Sequence, residues 1–238
     1  MKRTLTVLLF CASLLAGAAY AQSARDLNTI GFRLYAEGRY AEALEYFESA
    51  VEADPTYALA HYNYACTLGV LRDMGPEFVC RYDAYKWRIL DYLEESVRLD
   101  PDRTERMKDD PDLECVHDTF RYQRLLGLSP NDPDDALLIL QRVSWYAFNA
   151  GAFGPAGGIT FHEDGTLTLW KLDVSTSEVT RLEHTGRLSV TGAEMEMVLD
   201  DPISGRRRFP LELSTDGVLS VPGLPFQPFI DDPRDCEA

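Results

Sequence analysis

The sequence predicts an α+β protein: a short stack of helical hairpins, then a small antiparallel β meander closed as a barrel or folded as a sandwich. Three observations carry this. Apolar residues recur at three- and four-residue spacing from Ala24 to about residue 127, the period of amphipathic helices. Beyond about residue 130 the period drops to two. Glycine-centred turn signals, the strongest being Asp164-Gly165, then cut the chain into short strands.

The chain has 238 residues, 45% of them hydrophobic and 26% charged, an ordinary composition for a globular protein. Its first 21 residues read as a secretory signal peptide: charged Lys2 and Arg3, an apolar run from Leu5 to Leu15, and a small-residue site at Ala19-Tyr20-Ala21. The apolar run is shorter than the roughly 20 residues that span a membrane. Cys11 follows bulky Phe10 where a lipid anchor needs a small residue, so cleavage after Ala21 and a periplasmic or secreted protein are expected. A helical domain at 22–129 and a β domain at 130–238 would follow. The formal charge of −16 becomes −18 without Lys2 and Arg3. So acidic a surface repels nucleic acid and anionic lipid, which need clustered cations. Arg206-Arg207-Arg208 enters an expected strand and reads as a solvated face.

In the helical half, Leu27, Ile30 and Leu34 share one face of a helix from about Ala24 to Glu37, which Gly38 ends. Tyr40, Ala43, Leu44, Phe47, Ala50 and Val51 mark a second helix, with Ala43 and Ala50 small where two helices approach closely. Pro55 breaks the chain and starts the next helix. This order, Leu27-x-x-Ile30-Gly31-x-x-Leu34, Ala43-x-x-x-Phe47, Ala50 and Pro55, resembles the tetratricopeptide repeat, a helix–turn–helix of about 34 residues. The resemblance implies a stack whose concave face holds partners. A second unit begins at Thr56 and returns to the pattern at Leu93, Ser96, Val97 and Asp100-Pro101. Its proline lies 46 residues after Pro55, so about 12 residues are inserted. Pro76 to Leu99 is read as one long helix, with Tyr82, Tyr85, Ile89 and Leu93 towards the stack and Cys80 and Trp87 away from it.

Residues 109–127 resemble the closing segment of bacterial tetratricopeptide proteins, an acidic-proline turn and a helix with Phe120, Leu125 and Leu126. The same family implies a groove lined from the first helix of each unit: Asn28, Phe32 and Tyr35, then Tyr62, Cys66 and Gly69. Asn63 matches an asparagine that holds a bound peptide backbone, while the lysines that clamp a peptide carboxylate in some members are absent. The same aromatic residues are also what packing against the insertion or the β domain would use. Four cysteines remain after cleavage, and spacing alone does not select among their three pairings. If the closing segment packs on the long helix, Cys80 and Cys115 are the expected disulfide.

Asp132 to Asp135 cap a short helix at Ala136 to Leu140. Strands are expected around Val143, Trp145 and Ala147, at Ile159 to Phe161 and Leu167 to Leu169, and then at 177–184, 187–191, 194–199, 206–213 and 217–221. Gly186, Gly192, Gly205 and Gly217 separate these last strands, and Gly151 to Gly158 reads as a loop. The hairpin Thr160 to Thr166 resembles one found in lipocalin-like bacterial domains. A barrel of this size is filled by its own side chains or holds one small apolar ligand.

Catalytic patterns are missing. His61, His117, His162 and His184 are scattered, no HExxH or GxSxG occurs, and the acidic pairs precede or contain proline-linked turns. No metal, cofactor or enzyme activity is expected. The expectation is an exported, non-catalytic protein–protein interaction or assembly module holding a protein or peptide through Asn28, Phe32, Tyr35, Tyr62 and Asn63, with no nucleic acid and no stable membrane insertion. The alternatives are a carrier of a small apolar ligand in the β domain, or a structural subunit of an envelope complex.

Overall fold

The computed structural model describes residues 22–148, 154–173, 178–226 and 228–231. The signal peptide read at 1–21, Cys236 and the segment 151–153 lie outside the described residues. Among the described residues, eight α-helices and a 3-10 helix precede an eight-stranded, closed antiparallel barrel.

Helix α1 (Ala24–Ala36) starts at Ser23, whose hydroxyl accepts from the Asp26 amide at 3.2 Å. It ends with Gly38 at φ +76°, the Gly38 amide donating to Tyr35 and the Arg39 amide to Leu34, both at 2.9 Å. Helix α2 (Tyr40–Ala53) packs back on α1 at the expected small residues: Ala43 and Ala50 are fully buried. Gly31 is small for the same reason, since a Cβ there would stand 2.8 Å from the Phe47 ring. Helix α3 (Ala58–Asp73) is buried almost all round, between α2, α5 (Lys86–Leu99) and the 3-10 helix Pro111–Val116.

The long helix expected from Pro76 to Leu99 is two helices. Helix α4 (Pro76–Tyr82) stops where Asp83 turns left-handed at φ 51°, and the Ala84 amide donates back to Val79. The break lets Ala84 enter the core, while Ile89 and Leu93 of α5 face the stack as expected and Trp87 points out. The expected Cys80–Cys115 disulfide is not made, because Cys66 and Cys115 are free thiols. Cys115 is turned on to α3, its Sγ 3.6 Å from where a Gly69 Cβ would stand, while Cys80 is exposed on α4.

Helix α6 (Arg103–Met107) leads into the 3-10 helix, whose Leu113 and Val116 seal the stack together with Tyr122 of α7 (Phe120–Leu125). Phe120, expected in that seal, instead enters the barrel core with Ile139 and Leu140 of α8 (Pro133–Arg142). A Cβ at Gly217 would meet the Phe120 ring at 2.5 Å. The contact is fastened by polar bonds, Phe120 amide to Asp231 at 3.0 Å and Ser144 amide to the Asp118 carbonyl at 3.0 Å.

The barrel runs in simple order: β1 (Trp145–Phe148), β2 (Pro155–Phe161), β3 (Thr166–Asp173), β4 (Thr180–Thr191), β5 (Glu194–Ile203), β6 (Arg206–Leu213), β7 (Leu219–Ser220) and β8 (Phe229–Asp231). Strand β8, absent from the expected set, closes it by pairing Ala147 with Phe229. Two expected boundaries dissolve. Gly186 does not separate strands but lies inside β4, where a side chain would strike the Val198 carbonyl at 2.4 Å. Pro155 to Gly158, read as loop, form β2, and Gly158 makes room for the Trp170 indole. Asp200 and Asp201, read beside a turn, lie within β5, where Asp200 accepts from the Thr185 hydroxyl.

Inward side chains Trp145, Phe161, Leu169, Met197, Phe209 and Phe229 are almost wholly buried and fill the barrel interior. With Phe120 capping this core, Phe120→Ala is expected to lower the unfolding free energy by about 3 kcal/mol or more, as large core truncations do. Urea denaturation measures it. A loss within about 0.5 kcal/mol, the scale of a surface change, would contradict the packing.

Candidate functional site

The groove expected between the first helices of the two units exists, but it has a third wall. The closing segment returns against α3 and brings Asp110 and Asp112 to the groove floor. Gly69 permits this approach, because a Cβ there would stand 1.9 Å from the Asp112 carbonyl oxygen. Asp110 is placed by a local rule: it caps the 3-10 helix, accepting from the Asp112 amide at 3.1 Å ahead of Pro111.

The resulting cavity, of about 180 Å³, is lined by Phe32, Tyr35, Phe47, Tyr62, Asn63, Cys66, Arg106, Asp110 and Asp112. Phe32 is 58% exposed and forms an open apolar wall, whereas Tyr62 is buried and Tyr35 half-buried. The Tyr62 hydroxyl donates to Asp110 at 2.6 Å, and the Cys66 thiol donates to the same oxygen at 3.6 Å. The Tyr35 hydroxyl donates to Asp112. Asn63 reaches across from α3 and donates from Nδ2 to Oδ1 of buried Asn28 at 2.9 Å, so the two asparagines tie α1 to α3 beneath the groove. Four of the five sequence-expected groove residues, Phe32, Tyr35, Tyr62 and Asn63, line this cavity, whereas Asn28 is buried and reaches it only through its hydrogen bond to Asn63.

Sequence reasoning missed Asp110, Asp112 and Arg106. The acidic-proline turn was legible as a cap, but its position against α3 depends on the missing side chain at Gly69.

Burial sets the electrostatics. It pushes the Cys66 thiol well above its ordinary range, helped by the Asp110 and Asp112 charges. Burial likewise raises both tyrosine hydroxyls, with the Asp112 hydrogen bond adding to it at Tyr35, and the Cys66 charge and then Asp110 at Tyr62. Asp112 is itself raised, first by burial and then by the Asp110 and Asp73 charges, against the Tyr35 hydrogen bond. One ligand atom each from Cys66, Asp110 and Asp112 lies within 4.8 Å of the others, a set able to hold a metal ion. Thiolate ligation would first have to remove a proton that burial holds firmly.

A larger cleft, about 830 Å³, lies between the closing segment and α8 and is lined by Lys108, Asp109, Glu114, His117, Asp118 and Arg142 among others. Its walls carry both signs of charge. His117 stacks on Tyr122 and accepts or donates at 2.9 Å to its hydroxyl, and burial lowers its basicity.

A helical-repeat unit joined to a closed β barrel is thus the class that the fold defines. Residues 24–57 are a tetratricopeptide repeat, matched by that family. The chain is also similar to a chloroplastic protein of Arabidopsis thaliana, 31% identical over 109 residues. The aligned part covers 44% of this chain and 29% of that protein, so the chain spans under a third of that relative's length. The repeat suggests a role in protein–protein interaction. Among the described residues, no helix is long and apolar enough to cross a membrane.

Asp112 supplies a test of the floor. Its carboxyl binds a proton more tightly in the folded chain than in the unfolded one, whose value is near 3.8. Its ionisation therefore costs stability, and the cost grows as pH rises from the unfolded value toward the higher folded one. Asp112→Asn, which keeps an acceptor for Tyr35, is expected to raise the urea midpoint at neutral pH, and the gain should shrink on acidification toward the unfolded value. A lower midpoint at neutral pH would refute the assignment.

Proposed function

We propose that this chain is an exported, non-catalytic interaction or assembly module that holds a protein or peptide segment in the groove between α1 and α3. The observation that carries this is the open aromatic wall at Phe32 beside a polar floor, in a repeat of a kind that generally mediates partner binding. Groups in the groove argue for binding over catalysis. The thiol and both tyrosine hydroxyls are driven toward their protonated forms, away from the near-neutral values that proton transfer and nucleophilic attack require. The acidity of the whole chain favours a protein partner over nucleic acid or anionic membrane. Periplasmic or secreted localisation follows from the signal-peptide pattern at 1–21 with cleavage after Ala21.

Phe32→Ala tests the reading, because an exposed side chain can be truncated with little effect on folding. Captured from native extract by the intact chain, the partner is expected to be lost from the Phe32→Ala variant while the thermal melt is unchanged. Equal retention by both chains would move the contact away from the groove.

A further inference from the structure

The geometry points to a basic side chain, lysine or arginine, as the group of the bound peptide that the groove recognises. This rests on the groove reading above and adds its chemistry. Asp110 and Asp112 sit at the floor, each only half-exposed, and neither makes an ion pair among the described residues. Their partners are two tyrosine hydroxyls, a thiol and a backbone amide, all of them neutral. Removing two like charges from water without a counter-charge is unfavourable, and an incoming cation relieves it.

The walls suit the rest of such a side chain. Phe32, Tyr35 and Tyr62 offer apolar and aromatic surface for an aliphatic stem and ring faces for the cationic head. About 180 Å³ admits one long side chain but falls below the roughly 300–1,000 Å³ of sites for drug-sized ligands and cofactors. Arg106 lines the rim, but it is exposed and makes no ion pair among the described residues, so it does not neutralise the floor. A basic group inside would donate charge-assisted hydrogen bonds to the two carboxylates.

The test uses the full chain and short peptides with randomised flanks, acetylated and amidated so that no terminal charge competes. The central position is lysine, arginine, norleucine, citrulline or glutamate, and retained peptide is measured by mass spectrometry. Lysine and arginine are expected to be retained about ten-fold over norleucine and citrulline, the size of a charge-assisted hydrogen bond. The preference should vanish in Asp110→Asn/Asp112→Asn, whose fold is checked by its melt, and Arg106→Ala should raise retention of the basic peptides. Retention that is lost with Phe32→Ala but indifferent to the central residue would overturn the basic-group inference and leave the groove standing. A preference for glutamate, or one that survives in the double variant, would also overturn it. Retention that requires added zinc and disappears with chelator would assign the floor to a metal instead. No retention of any peptide would remove the groove reading and this inference together.

Discussion

Helix α3 is apolar on nearly every side, and an amphipathic hairpin can cover only part of it. Helices α2 and α5 take two of its faces, and in a longer array a third hairpin would take the next. Here the 3-10 helix Pro111–Val116 does so, and it reaches α3 only because residue 69 has no side chain. Buried Leu113 and Val116 supply the apolar half of that seal. The polar half consists of the cap residue Asp110 and, two residues on, Asp112, both of which the seal carries into the concave face. Closing the stack and building the groove floor are one structural event.

That origin explains why the floor carries charge that the fold does not neutralise. Burial, with the Asp110 and Asp73 charges, opposes ionisation of Asp112 against the Tyr35 hydrogen bond. The two tyrosine hydroxyls position the carboxylates without cancelling them. The β barrel is joined to the same segment at its other end: Phe120 leaves the helical seal to complete the barrel core, and Asp231 of β8 accepts from its amide. Residues 110 to 120 therefore serve the helical core, the groove and the barrel in turn.

Local pattern made much of this readable. The repeat signature at Leu27 to Pro55 and the small residues Ala43 and Ala50 encode a hairpin within one stretch of chain, and α1 and α2 lie where that pattern put them. Alternation at Trp145 and Ala147 likewise marks β1. The errors fall where distant contacts decide. Asp83 breaks a helix whose sequence could continue it, because Ala84 gains a buried place. Gly186 reads as a turn signal, yet it pairs within the sheet with Leu199, where a side chain would strike the Val198 carbonyl. Phe120 has the spacing of a repeat cap, but it packs in the barrel core. The aromatic half of the groove was legible for the same reason as the hairpin. The acidic half was not, since nothing near Asp112 in sequence reveals that Gly69 lies opposite.

Amide hydrogen exchange on the native chain tests directly whether the closing segment belongs to the α3 core. If it does, the amides of Leu113 and Val116 open only with that core and exchange as slowly as those at the centre of α3, around Ala65 to Leu68. Fast exchange of the 3-10 helix beside a protected α3 would mean that the segment rests loosely on the stack, and the acidic floor of the groove would then have no fixed place.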